Sequence, residues 1–143
     1  MNDNLIKQII SEEGEVLNAY QDHLGYLTIG VGRLIDKRMG GGISQDESRY
    51  LLSNDIKKFT DSVAKALPFY NDLNDARKGV LIGMAFQMGI NGLLQFKQTL
   101  QLIKLGNYED ASKNMLNSLW ARQAPERAKR MAQQMATGKW VFK

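Results

Sequence analysis

Three residues that could do chemistry lie close together early in the chain: Glu13, Asp22 and Thr28, in the order Glu-x8-Asp-x5-Thr within SEEGEVLNAYQDHLGYLTIGVGR. Two carboxylates on different backbone elements, but near in sequence, can flank one scissile bond. Glycoside hydrolysis needs such a pair: one acid protonates the leaving oxygen, and a base or nucleophile works on the other face of the sugar. The glycine-rich TIGVG run reads as a tight hairpin that would present the second carboxylate toward the first.

The surroundings of the two carboxylates are expected to differ. Asn2 or Asp3 can cap a first helix over residues 3–13, and Gly14 can end it. Ile6, Ile9, Ile10 and Glu13 recur at i, i+3, i+4 and i+7, so Glu13 shares the apolar face at the helix end. A carboxyl there is expected to be partly desolvated and close to the negative helix terminus, and both effects favour its protonated form. Asp22 sits in the polar turn QDHLG, where water and backbone N–H groups favour the ionised form. Carboxylates pushed apart by their environments make an acid and its partner.

The elements that must position them follow from patterning. Residues 15–34 alternate apolar and polar with glycines at 25, 30 and 32, which predicts a small antiparallel hairpin sheet. Ser44-Gln45-Asp46-Glu47 is a capping box opening a long helix over 45–67, with a stripe of Leu51, Leu52, Ile56, Phe59 and Val63, ended by Pro68. Everything after it reads as helical. Asp75–Met88 is apolar and small, with Gly79, Gly83 and Ala85, and suits a buried central helix that neighbours approach closely. Leu93–Leu105, Tyr108–Trp120 and Pro125–Thr137 are predicted as further amphipathic helices. The expected fold class is α+β, mostly α, in one domain over 1–143. It comprises a β-rich lobe (15–44), a connecting helix (45–67) and a helical lobe (68–143), with helix 3–13 near a cleft.

Composition narrows the function classes. There is no cysteine among 143 residues, so disulfides and thiolate chemistry are excluded, and one histidine makes a zinc site an unpromising reading. No cofactor and no metal are expected. No apolar run reaches the roughly 18 residues of a membrane span. The N-terminus lacks the basic and apolar regions of a secretory signal, so the protein is expected to accumulate in the cytoplasm where it is made. Residues 1–60 carry a net charge of −2 and residues 61–143 a net charge of +6. A basic half suits an anionic partner, such as wall polymer or a membrane surface. Residues 121–143 hold six basic side chains and one acidic one, with Trp140 and Phe142, so a basic amphipathic helix on anionic lipid is a rival or companion reading. No nucleic-acid-binding motif is present.

Taken together, EEG, YxDxxGYxTIGVG, ISQDE, AFQMG, SLW, QAPERAKR and TGKW occur in the order found in the phage-type lysozymes, the endolysin family, and nearly the whole chain resembles them. The resemblance implies a two-lobed lysozyme-like fold. It also implies cleavage of the β-1,4 bond between N-acetylmuramic acid and N-acetylglucosamine in peptidoglycan, with inversion, for host cell lysis. Carried over by position, Glu13 matches the general acid, Asp22 the carboxylate that positions or activates the attacking water, and Thr28 the threonine beside that water. Leu34, Phe86, Thr99 and Asn114 match substrate contacts. Gln87 and Trp120 match cleft or inter-lobe contacts, and Arg127 a buried arginine that pairs with the region of the catalytic Glu. Read alone, Phe86 and Trp120 also suit core positions, and Thr28 a strand position.

The resemblance further implies a monomer held in the host cytoplasm until a separate pore-forming protein lets it reach the wall. A virion-associated wall-penetrating muramidase and a non-catalytic wall-binding module remain alternatives. Arg33 stands where the best-known member has a histidine in a structural salt bridge. Leu24 and Leu119 replace charged residues, and the segment between hairpin and long helix is short. His23 matches no family role.

Overall fold

The computed structural model describes residues 3–143; the proposed Asn2 cap lies outside them. Helix α1 spans Asp3–Glu13 and closes where the Gly14 N–H donates to Ile10 O at 2.8 Å. Three antiparallel strands follow in the order β1-β2-β3: β1 Val16–Gln21, β2 Leu27–Gly30 and β3 Arg33–Leu34. Tyr20 lies opposite Thr28, Thr28 opposite Leu34, and the register shifts between Val16 and Tyr20.

A single 3-10 turn, Lys37–Met39, occupies the short segment after the sheet, and Asp36 caps it. Asp36 is buried, and its carboxylate gathers four donors: Leu27 N and Arg38 Nη2 on Oδ2, Arg38 N and Nε on Oδ1, at 2.7–3.0 Å. The Arg38 side chain first, then the Leu27 amide, hold the Asp36 carboxyl well below the usual carboxylate range.

Helix α2, Gln45–Ala66, opens with the predicted capping box: Ser44 N donates to Glu47 Oε1 at 2.8 Å, and Glu47 N to Ser44 Oγ at 3.1 Å. It ends one residue short of the predicted limit, and Pro68 opens a 3-10 turn, Pro68–Asp72. Contacts divide the chain into two compact units, the first ending at Leu51 and the second running Leu52–Lys143, so the division falls inside α2. Of the predicted stripe, Val63 is buried and Phe59 packs on the core, while Leu51, Leu52 and Ile56 are exposed.

The second unit is helical: α3 Asp75–Leu94, α4 Lys97–Lys104, α5 Tyr108–Leu116, α6 Leu119–Gln123 and α7 Pro125–Thr137. Asn74 caps α3 by accepting the Arg77 N–H at 3.0 Å. Gly89 interrupts α3 with φ 79° and ψ 164°, a conformation open to glycine, so the predicted end at Met88 marks a break within the helix. Leu93 and Leu94 lie beyond that break in α3, and α4 starts later than predicted. The predicted helix Tyr108–Trp120 is two helices. Ser118 separates them, its hydroxyl donating to Met115 O at 2.7 Å and accepting the Ala121 N–H at 3.1 Å. Helix α7 matches its predicted bounds.

Val80, Leu81, Met84, Leu93, Ile103, Met115 and Met135 form the fully buried centre. The Gly79/Gly83 stripe is a packing surface. A Cβ at Gly79 would sit 2.7 Å from the Trp140 ring, and one at Gly83 2.8 Å from Met131 Cε. Among the described residues, no single helix is long and apolar enough to cross a membrane.

Candidate active site

Glu13 is the last residue of α1, and it is exposed. The expected apolar shelter is missing: α1 buries no residue, and Ile6 and Ile9 are themselves 37% and 44% exposed. The carboxyl group lies instead against the turn between β2 and β3. A Cβ built on Gly32 would stand 3.4 Å from Glu13 Oε2. Gly32 has φ +65°, so the turn itself also favours glycine there.

Asp22 and Thr28 are both fixed to Tyr26. Asp22 Oδ1 accepts the N–H groups of Leu24 and Tyr26, each at 2.9 Å. The Asp22 N–H donates to Tyr26 O at 2.9 Å, and the Thr28 hydroxyl donates to the same oxygen at 3.1 Å. The turn thus holds the Asp22 carboxylate with the backbone donors expected of QDHLG. Thr28 is 5% exposed, and its partner across the sheet, Leu34, is half-buried. Glu13, Asp22, Thr28 and Leu34 all belong to the first unit.

The remaining candidates belong to the second unit, and all but Thr99 line one of two pockets. Gln87, Asn114 and Trp120 line one of about 720 Å³, together with Phe96 and Gln98. Trp120 is buried, donates from Nε1 to Gln87 Oε1 at 3.0 Å and meets Phe96 edge-on at 5.9 Å. Thr99 is 1% exposed, so its hydroxyl serves Asn114, donating to Oδ1 at 2.5 Å, while Asn114 Nδ2 donates to Gln98 Oε1 at 3.3 Å. Phe86 and Arg127 line a second pocket of about 510 Å³ with Ile56, Ile82 and Trp140. Phe86 is 45% exposed and packs at 5.5 Å on Phe59; Arg127 is half-buried and donates to Gly83 O at 3.4 Å.

Two charged ties in the first unit escape the sequence reading. One is Asp36–Arg38. The other is the salt bridge of Arg33, whose Nη1 meets Glu47 at 2.8 Å. Glu47 is lowered to about 2, chiefly by the Arg33 side chain and then by the Ser44 amide. The capping box flags Glu47, but nothing local to Arg33 names its partner. No group of three or more His, Asp or Glu side chains among the described residues could hold a metal ion.

A mostly helical chain with one small three-stranded antiparallel sheet has the α+β fold of the lysozyme-like glycoside hydrolases. The chain belongs to the phage lysozyme family, whose sequence pattern matches residues 10–135. Its function is muralytic. A Dictyostelium discoideum protein named "Probable T4-type lysozyme 1" is 33% identical over 153 residues, which span 89% of this chain and 90% of that protein. The pre-baseplate central spike protein Gp5 of Enterobacteria phage T4 is 30% identical over 96% of this chain, but over 28% of its own length. An endolysin of Bacillus phage B103 is 32% identical over 79% of this chain and 42% of its own.

Proposed function

We propose that the enzyme hydrolyses the β-1,4 bond between N-acetylmuramic acid and N-acetylglucosamine of peptidoglycan with inversion. The observation that most supports this is the separate anchoring of two carboxyl groups in one unit, Glu13 against Gly32 and Asp22 on the amides of Leu24 and Tyr26. Glu13 gives its proton to the glycosidic oxygen as that oxygen leaves C1. Water attacks C1 from the opposite face and passes its proton to Asp22. The Thr28 hydroxyl donates its own proton to Tyr26 O, so its oxygen is left to accept a hydrogen bond from that water. Attack opposite the leaving group inverts the anomeric centre, and a water between carboxylate and sugar is the inverting arrangement.

Leu34, Phe86 and Asn114 contact the glycan in this reading, with Thr99 orienting Asn114. Gln87, Trp120 and Arg127 support the binding surface. The enzyme acts as a monomer, as an endolysin held in the host cytoplasm and released to the wall through a lesion made by a separate pore-former. The likeness to a central spike protein over 96% of this chain favours a second setting, a wall-penetrating domain carried on the virion. The test of the chemistry is a muropeptide digest with the product anomer read by NMR. Reducing-end N-acetylmuramic acid, initially as the α-anomer, is expected. A reducing-end N-acetylglucosamine would refute the bond assignment, and an initial β-anomer would refute inversion.

A further inference from the structure

The stretch after α7 is not helical, yet it is pinned. Lys139 N donates to Thr137 Oγ1 at 3.2 Å, Val141 N to Gln134 Oε1 at 3.1 Å, and Asn74 Nδ2 to Gly138 O at 2.9 Å. The edge of the Trp140 ring seats on Gly79. In spite of these ties, Trp140 is 55% and Phe142 82% exposed, and their rings lie within 11° of parallel at 6.4 Å. Scattered exposed hydrophobic residues are ordinary on a protein surface. A fixed aromatic pair set among cations is a more specific arrangement.

Those cations are on the same surface. Arg127, Arg130 and Lys143 line a pocket of about 480 Å³ with Trp140 and Phe142, and no Asp or Glu is among its lining residues. Glu126, the one acidic side chain of residues 121–143, faces Lys129 at 3.6 Å. Helix α7 has no apolar face left to offer, because Ala128, Ala132 and Met135 are buried in the core. The basic helix itself therefore cannot lie on lipid as the sequence suggested. The apolar element is the aromatic pair beyond it.

We propose that Trp140 and Phe142, which share a pocket with Arg130 and Lys143 and follow Lys139 in the chain, dock the enzyme on an anionic phospholipid bilayer. Aromatic rings favour the boundary between headgroups and acyl chains, while Lys and Arg remain at headgroup level against negative lipid. Wall polymer also carries anionic groups, but it offers no apolar layer to a Phe142 ring that is 82% exposed and has no polar atom to share with a sugar, so bare rings beside cations favour lipid. This docking is independent of the catalytic assignment.

The test is co-sedimentation of the full chain with phosphatidylglycerol-rich vesicles and with phosphatidylcholine vesicles, alongside tryptophan emission. Trp120 is buried and supplies a constant background. Binding to the anionic vesicles alone is expected, with a blue shift from Trp140 and release as salt rises. Combining Phe142→Ser, Lys139→Gln and Lys143→Gln should lower partitioning at least about 25-fold, since each lysine near an anionic surface is worth about fivefold. Hydrolysis of a short soluble oligosaccharide should not change. Equal vesicle binding by the triple variant, or no binding by the wild type, would overturn the proposal. Loss of binding to purified sacculi with vesicle binding intact would assign the aromatic pair to glycan instead.

Discussion

The Nη1 atom of Arg33 lies 2.8 Å from both carboxylate oxygens of Glu47, one of which also accepts the Ser44 N–H at 2.8 Å. One carboxylate thus joins β3 to the first turn of α2. Because the Glu47 pKa is lowered to about 2, its stabilisation is fully present above the ordinary value of about 4.3 and is lost as pH falls toward 2. Melting temperatures of wild type and Glu47→Gln should differ at pH 6, converge between about pH 4.3 and 2, and coincide below. A gap that stays constant through this window would show that Glu47 ionisation does not contribute.

Gly32 and Gly30 offer a matched pair for the catalytic reading. Both have positive φ, +65° and +70°, so alanine at either should cost about 1–2 kcal/mol in backbone strain. A Cβ at Gly30 meets nothing within 4 Å, whereas one at Gly32 stands 3.4 Å from Glu13 Oε2. Both alanine variants should melt at similarly reduced temperatures. Because that approach is an ordinary van der Waals contact, the discriminating change is valine, whose methyls reach further, and Gly32→Val should lose far more kcat than Gly30→Val, with KM little changed. Matching turnover in the two valine variants would mean that the seat of Glu13 on the turn is irrelevant to catalysis.

Glu13→Gln is expected to abolish peptidoglycan clearing in a folded protein, since general acid catalysis is typically worth about 10²–10⁴-fold. A variant that keeps more than about a tenth of wild-type clearing is outside that range and contradicts the assignment.

In the proposed mechanism Asp22 has two separable duties. Asp22→Asn keeps an oxygen for the Leu24 and Tyr26 amides but removes the charge, so it should fold normally and turn over very slowly. Asp22→Ala removes the acceptor too, and loss of two hydrogen bonds should cost a further ~1–3 kcal/mol in denaturant unfolding. If Asp22→Asn clears walls like wild type, Asp22 does not handle the water.

Arg77 is predicted to matter for stability alone. Its guanidinium lies 3.7 Å from the centre of the Tyr108 ring and donates to Met135 O and Ala136 O in the last turn of α7. Arg77→Ala should cost about 1.5–3 kcal/mol, as for hydrogen bonds made by charged groups. Lysine should recover only part, lacking the planar fork. Turnover on a soluble oligosaccharide at 25 °C should be unaffected, and a loss there without unfolding would contradict this reading.

The parts of the fold that sequence made legible are those with short-range causes. The Ser44–Glu47 box, Pro125 and Gly138 lie beside the helix ends they set, and α1, α7 and the start of α2 fall where predicted. The misread boundaries have more distant or ambiguous causes. Ser118 can cap α6 only because the backbone breaks after Leu116, and an apolar periodicity runs through that break unmarked. Helical spacing correctly placed Glu13 beside the isoleucines, but spacing does not say what covers a face, and here that face stays open. Asp36 receives the Leu27 amide from nine residues back, and Arg33 reaches fourteen residues forward, beyond the span of any local pattern. The carboxylates and the hairpin glycines were readable because they fall within one short stretch of sequence, from the end of α1 to the start of β3. The partnership of Thr99 with Asn114 was not, because two helices bring them together.

Among the described residues, every buried hydrophobic side chain lies between Val63 and Met135, while up to Leu51 the buried side chains are Thr28 and Asp36, both polar. The segment that carries the proposed carboxylates is thus ordered by hydrogen bonds and ion pairs rather than by removal of oil-like surface from water. Such regions open at lower free energy than a packed core. Amides of residues 16–36 should exchange with deuterium well before those of α3 and α5. On gentle warming, or in mild acid, turnover should fade while most of the helical signal persists, because the proposed carboxylates belong to the part of the chain expected to melt first.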